Sequence, residues 1–219
     1  MIPPFDKGGP RGIWFQTAPI KGGVAVLLTV LLILLSAATA QAAPAFTQAE
    51  SRALTEYARG CLTAQVTGTA PPPAPEVALK QHRPCFVTFF QGSRVFACFG
   101  GFTPRRKNLA DEIGENVRLA LINDLRARNV SQAMASAAGV QITFPEQPEQ
   151  VGSYREIAPD RQGMFVEGAN GGVAFVPGEA RTASWAFREA LRRLGEHDPT
   201  AVAVYRFKAT AVSTRQDRN

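Results

Sequence analysis

The chain is 219 residues long, with 24 basic and 18 acidic side chains and a net charge of +6. At 45% hydrophobic and 19% charged it is neither a disordered tail nor a multi-span membrane protein. The positive excess is too small and scattered to imply specific nucleic-acid binding, and three cysteines and two histidines without C-x-x-C, H-E-x-x-H or zinc-like spacing imply no metal site and no cofactor.

Residues 1–42 are set apart from the fold. Between 22 and 49 the chain carries no charge, and 24–35 is Val, Leu and Ile broken only by Ala25 and Thr29. Lys21 stands before this run, and Ala40-Gln41-Ala42 closes the small-residue stretch after it. A positive flank, an apolar core and an Ala-x-Ala end are the parts of a secretory signal peptide. The apolar core is short for a bilayer span of roughly 20 residues, but with the alanines it suffices for an uncleaved N-terminal anchor. Both readings put the remaining domain, 43–219, outside the cytoplasm: periplasmic or secreted, or tethered to the membrane.

Thr47 and Glu50 have capping-box spacing, in which hydroxyl and carboxylate each satisfy a free backbone N–H, so a helix starts here. Leu54, Tyr57, Ala58, Cys61 and Leu62 recur at three and four, giving one apolar face that ends before Thr67-Gly68. Residues 69–75, rich in proline, form an extended internal linker. A hairpin follows over 84–100, with Gly92-Ser93 in a type II′ turn. In its simplest register Phe89 pairs with Phe96 and Val87 with Cys98, which puts Cys85 and Cys98 on one face. Both strands are apolar on both faces, as in a hairpin covered on each side.

Asn108 caps a second helix whose buried stripe is Leu109, Ile113, Val117, Ala120 and Leu121. A half-exposed strand covers 140–144. Gly168, Gly171 and Gly172 mark the turn of a second hairpin. A third helix over 182–194 buries Phe187, Leu191 and Leu194 and stops at Gly195. Last, 202–212 alternates as one long strand with Tyr205, Phe207, Ala209 and Ala211 on one face. The sum is an α+β domain, two hairpins forming a mixed or antiparallel sheet packed by about three helices.

Val95-Phe96-Ala97-Cys98-Phe99-Gly100 resembles the Leu-Arg-Gly-Cys-Ile-Gly signature of the AMMECR-one domain family. Phe86-Val87-Thr88-Phe89 is similar to that family's Phe-Val-Thr strand, and Asp124-Leu125-Arg126 resembles its Asp-Pro-Arg. Val173-Ala174-Phe175-Val176-Pro177 and Tyr205-Arg206-Phe207 resemble its later strands, and the order holds over most of 47–212. The resemblance implies structural roles for Gly100, Asp124 and Arg126 and points to Cys98 as the candidate catalytic residue. The motif arginine falls at Phe96 and the first motif glycine at Ala97. Phenylalanine cannot supply the bidentate charge of arginine. Family members are associated with Memo-type and radical-chemistry partners and are mostly intracellular, so an exported member would have lost those partners.

Three readings of Cys98 stand side by side: a buried strand thiol, half of a disulfide with Cys85 or Cys61 in an oxidising compartment, or a reactive thiol. The last needs a nearby cation or base to lower its pKa, and Arg94, Arg105, Arg106, Lys107, His82 and His197 are the candidates. Arg105, Arg106 and Lys107 also stand before a helix start, where free N–H groups favour a phosphate, a carboxylate or a lipid head group; the plainer reading is a solvated loop. His197-Asp198-Pro199 reads as a turn. The function expected is an exported binding or accessory module for a small anionic ligand or a protein partner. The alternative is a thiol-dependent or partner-assisted modifying enzyme centred on Cys98.

Overall fold

The computed structural model describes residues 46–169 and 171–215; the leader expected over 1–42 lies outside them. Among the described residues, five α-helices and two four-stranded antiparallel sheets make an α+β fold. Three helices are long, as expected: α1 (Gln48–Thr67), α3 (Leu109–Asn123) and α5 (Ala183–Leu194). The two short ones, α2 (Glu76–Leu79) and α4 (Gln132–Ser136), leave no periodic signal because neither completes two turns. Among the described residues no helix is long and apolar enough to cross a membrane.

Local chemistry sets the boundaries. Thr47 and Glu50 form the capping box of α1, and Gly68 ends that helix in the left-handed conformation. Asn108 accepts from the Asp111 N–H at the start of α3, and Thr182 from the Trp185 N–H at the start of α5.

The first sheet runs β2 (Arg94–Gly100), β1 (Phe86–Gln91), β3 (Gly139–Pro145), β8 (Ala209–Ser213). One of its faces carries Val87, Phe89, Val140 and Ile142 into the main core, where Leu54, Leu62, Ile113 and Val117 of α1 and α3 meet them. The second sheet runs β4 (Glu149–Val151), β7 (Ala203–Phe207), β5 (Gly163–Gly168), β6 (Gly171–Phe175). It buries Met164, Val166, Val173 and Phe175 against Ala186, Phe187 and Ala190 of α5, a separate core. Two sheets therefore replace the single one expected. The reason is at Lys208, where the alternating run over 202–212 breaks into β7 and β8 and changes sheets. Alternation reports which face a residue takes, not which neighbour its backbone pairs with.

The first hairpin also departs from its simplest register. Gln91 pairs with Arg94 around Gly92, whose φ of 55° suits the first position of the turn. A bulge then shifts the ladder, so that Phe89 faces Ala97, Thr88 faces Cys98 and Val87 faces Phe99. Because side chains alternate, this one-residue slip puts Cys85 and Cys98 on opposite faces of the sheet, not on one. β1 is interior, but β2 is an edge strand covered by α3 and the turn after it.

Candidate functional site

The side of the hairpin that faces the helices carries a polar knot at the edge of the main core, with Glu112 and Asn116 buried and Arg105 reaching solvent. Glu112, 1% exposed, accepts from the backbone N–H groups of Arg105 (2.8 Å) and Arg106 (3.0 Å). Asn116, fully buried, accepts from the Arg105 guanidinium and donates to the Cys85 carbonyl at 3.0 Å. The Arg105 guanidinium also lies over the Phe99 ring, 5.3 Å from its centre. Arg106 reaches Glu115 at 2.9 Å and Lys107 reaches Asp111 at 3.7 Å. The free N–H groups ahead of α3 thus hold an anion, and that anion is the chain's own carboxylate. Each member of the basic run is matched with an acidic residue of α3. Burial pushes the Cys85 thiol up to about 12, with the Asn116 hydrogen bond pulling the other way. Cys61, buried on α1, is likewise raised by burial. All three cysteines are free.

The opposite face carries Phe86, Thr88, Cys98 and Gly100 towards the second sheet, and the seam between the sheets is where Cys98 sits. It is 8% exposed, and its sulfur lies 3.2 Å from the Thr88 hydroxyl directly across the ladder. The Cys98 backbone N–H points off the sheet edge and donates to Asp124 Oδ2 at 2.9 Å. That carboxylate also accepts from the Arg126 backbone N–H at 3.0 Å and from its guanidinium at 2.7 Å. The Arg126 guanidinium in turn meets Glu179 at 3.4 Å, and Glu179 accepts from the Val176 N–H at 3.2 Å. So Asp124 and Arg126, two residues apart, meet Cys98 from across the chain. Arg94, at the exposed turn end of β2, and the 105–107 run are not joined to the Cys98 thiol, and neither histidine hydrogen-bonds to it among the described residues.

The electrostatics follow from this placement. Burial, then the negative charge of Glu179, pushes the Cys98 thiol up to about 12; the Thr88 hydrogen bond and the Arg126 charge oppose this without overcoming it. Burial by itself would lower the Arg126 guanidinium, but hydrogen bonds to Asp124 and the charges of Asp124 and Glu179 hold it above its ordinary value. A cavity of about 10 Å³ lies beside these groups, lined by Cys98, Phe99, Gly100, Arg126, Ala174 and Arg193 among others. That is room for about one water. Gly100 is needed here, since a Cβ would stand 2.4 Å from the Cys85 carbonyl oxygen and 2.4 Å from Phe86 Cα.

Phe96, where the resemblance places an arginine, is 3% exposed in the main core and stacks on Phe89 at 6.3 Å. In this chain that position faces the helices, not the seam. Sequence reasoning missed Glu112, Asn116, Glu179 and Arg193. Glu112 and Asn116 left one trace, a spacing of four that runs beside the apolar stripe of α3. Glu179 left none, because it follows a turn at Gly178 and reaches across to another layer.

A family model described as AMMECR1 matches residues 55–212, well over half of the chain. The crystal structure of an uncharacterised protein from Pyrococcus horikoshii is similar with a TM-score of 0.59 at 18% identity, over 72% of this chain and 88% of that one. At that identity the likeness establishes the fold. No curated protein matches.

Proposed function

The chain belongs to the AMMECR1 family, and from that premise we propose that it is an exported binding or accessory module whose site is the seam between its two sheets. The observation that carries the proposal is the state of Cys98. A nucleophilic cysteine needs its thiolate, stabilised by a cation or made by a base. Here the thiol is buried, its neighbours include the carboxylates of Asp124 and Glu179, and it is pushed up to about 12. Near neutral pH it remains a protonated, packed side chain. Arg126 and Arg193 both line the cavity, Arg126 paired with Asp124 and Glu179 and Arg193 with Glu189, so a small anionic ligand binds there by displacing a carboxylate from one of them. The leader over 1–42 carries the domain out of the cytoplasm, either cleaved after Ala42 or kept as a tether.

The experiment is a pH series of thiol modification on the native protein, with the modified residue located by mass spectrometry. The expected result is slow labelling whose rate is still climbing above pH 8.5, about where an unperturbed cysteine titrates. A fast-reacting Cys98 with a midpoint well below that pH would overturn the module reading in favour of a thiol enzyme. The mass of the mature N-terminus tests export.

A further inference from the structure

The two layers are joined like the covers of a book. Among the described residues the chain crosses between them twice, from β3 to β4 and from β7 to β8. These crossings lie side by side, tied by the Glu146 N–H donating to the Lys208 carbonyl at 2.8 Å. Both belong to the same margin, since β3 and β8 are neighbours at one side of the first sheet and β4 and β7 at one side of the second. The strands at the other margin are β2 and β6, and both contribute to the lining of the small cavity, together with Phe86 of β1, Arg126 and Arg193 of α5. Each layer has its own core, and among the described residues no helix or strand of one packs broadly on an element of the other. Between the two margins the layers touch through rings, and one of them, Phe86, also lines the cavity. Phe102 lies 4.9 Å from Phe207 and 5.1 Å from Phe165, and Phe86 lies 6.1 Å from Phe207.

At the open margin one chain of polar contacts runs from sheet to sheet: the Cys98 N–H to Asp124, Asp124 to Arg126, Arg126 to Glu179, and Glu179 to the Val176 N–H. Each carboxylate takes a free strand N–H of its own layer, Asp124 one on the edge of β2 and Glu179 one just past the end of β6, and one link, Arg126 to Glu179, passes between the layers. It is also the longest of the set, at 3.4 Å against 2.7 Å for Arg126 to Asp124.

We propose that the two layers open about the Glu146–Lys208 crossing, with the Arg126–Glu179 pair as the clasp that keeps the Cys98 seam shut. Opening breaks this pair and leaves both partners satisfied, because Arg126 keeps Asp124 and Glu179 keeps the Val176 N–H. It accounts for how a seam with room for one water would admit a ligand. The inference rests on the seam being the binding site, while its test reads the motion directly.

In the full chain at fixed pH, thiol labelling of Cys98 reports opening, and Cys61 and Cys85, closed inside the main core, report loss of the first layer. Because the Glu179 charge also raises the Cys98 thiol, each rate is divided by the thiolate fraction measured for that variant; so normalised, Glu179→Gln is expected to speed Cys98 labelling about fivefold, the scale of one partly exposed ion pair, and leave Cys61 and Cys85 unchanged. An unchanged Cys98 rate, or all three rates rising together, would overturn the clasp. The unaltered protein supplies a second arm that needs no variant. If opening is local, Cys98 labelling depends less steeply on urea than Cys61 labelling does, because less surface is exposed. Equal slopes would mean that Cys98 is reached only by unfolding, and the proposal fails. A low thiol midpoint at Cys98 would instead remove the module reading and leave these rates to decide the motion.

Discussion

Cys85 and Cys98 stand on opposite faces of one hairpin, both buried, both free, both with thiols pushed up to about 12. Their surroundings differ. Cys85 is closed in by α3 and its knot of Glu112, Arg105 and Asn116, all within one layer. Cys98 lies under a second layer with its own core, joined at one margin and clasped at the other. The same residue type, buried in both places, is a packing element on one side and the floor of an openable seam on the other. Burial by itself does not define a site; the independence of what covers it does.

The largest expected effect tests which way position 96 faces. Phe96→Arg puts a charge into the main core in place of a ring stacked on Phe89, and should cost about 3–5 kcal/mol by chemical denaturation. A variant of unaltered stability would mean that the side chain swings to the seam, as the family's arginine would require. The next comparison sets two carboxylates that each accept backbone N–H groups and face an arginine. Glu112→Ala leaves the N–H groups of Arg105 and Arg106 without their acceptor inside the first layer, and should lower stability by about 3 kcal/mol. Glu179→Ala, at the clasp, removes the acceptor of one N–H, that of Val176, and one long ion pair, and should lower it by less, about 1–2 kcal/mol. Urea midpoints measured together decide this, and equal losses would erase the distinction between the two faces.

The smallest effect is in alkali. Both thiols are raised from an ordinary 9.0 to about 12, so between those values the folded state holds protons that the unfolded chain releases, and stability falls as pH rises. Each thiol should contribute a loss of about 1 kcal/mol from pH 9 to 10. Cys98→Ser and Cys85→Ser should each flatten the profile by that amount relative to the parent. If only Cys85→Ser does so, Cys98 is wetter than the closed seam implies.

Much of the fold was legible in the residues because it is local. The capping box of Thr47 and Glu50, the Asn108 cap, the Gly92 turn and the stop at Gly195 depend on neighbours within about four positions, and each stands where the spacing put it. The candidate site was legible in part. Asp124, Arg126 and Cys98 were singled out by likeness to a family signature, and the fold does bring them together. Glu179 and Arg193, and the pairing of each basic residue of 105–107 with an acid on α3, carried no pattern that pointed to them.

What the sequence determined by itself is the three long helices, the caps and turns that bound them and the apolar strand stretches, because hydrophobic period and end-capping act over one or two turns of chain. What only the tertiary structure decided is the bulge that sends Cys85 and Cys98 to opposite faces, the break at Lys208 that makes two sheets from one alternating run, and the salt bridge from Arg126 to Glu179. Those turn on which backbone groups find partners far along the chain, a choice settled by the competition among whole arrangements of strands and not by any stretch of residues read alone.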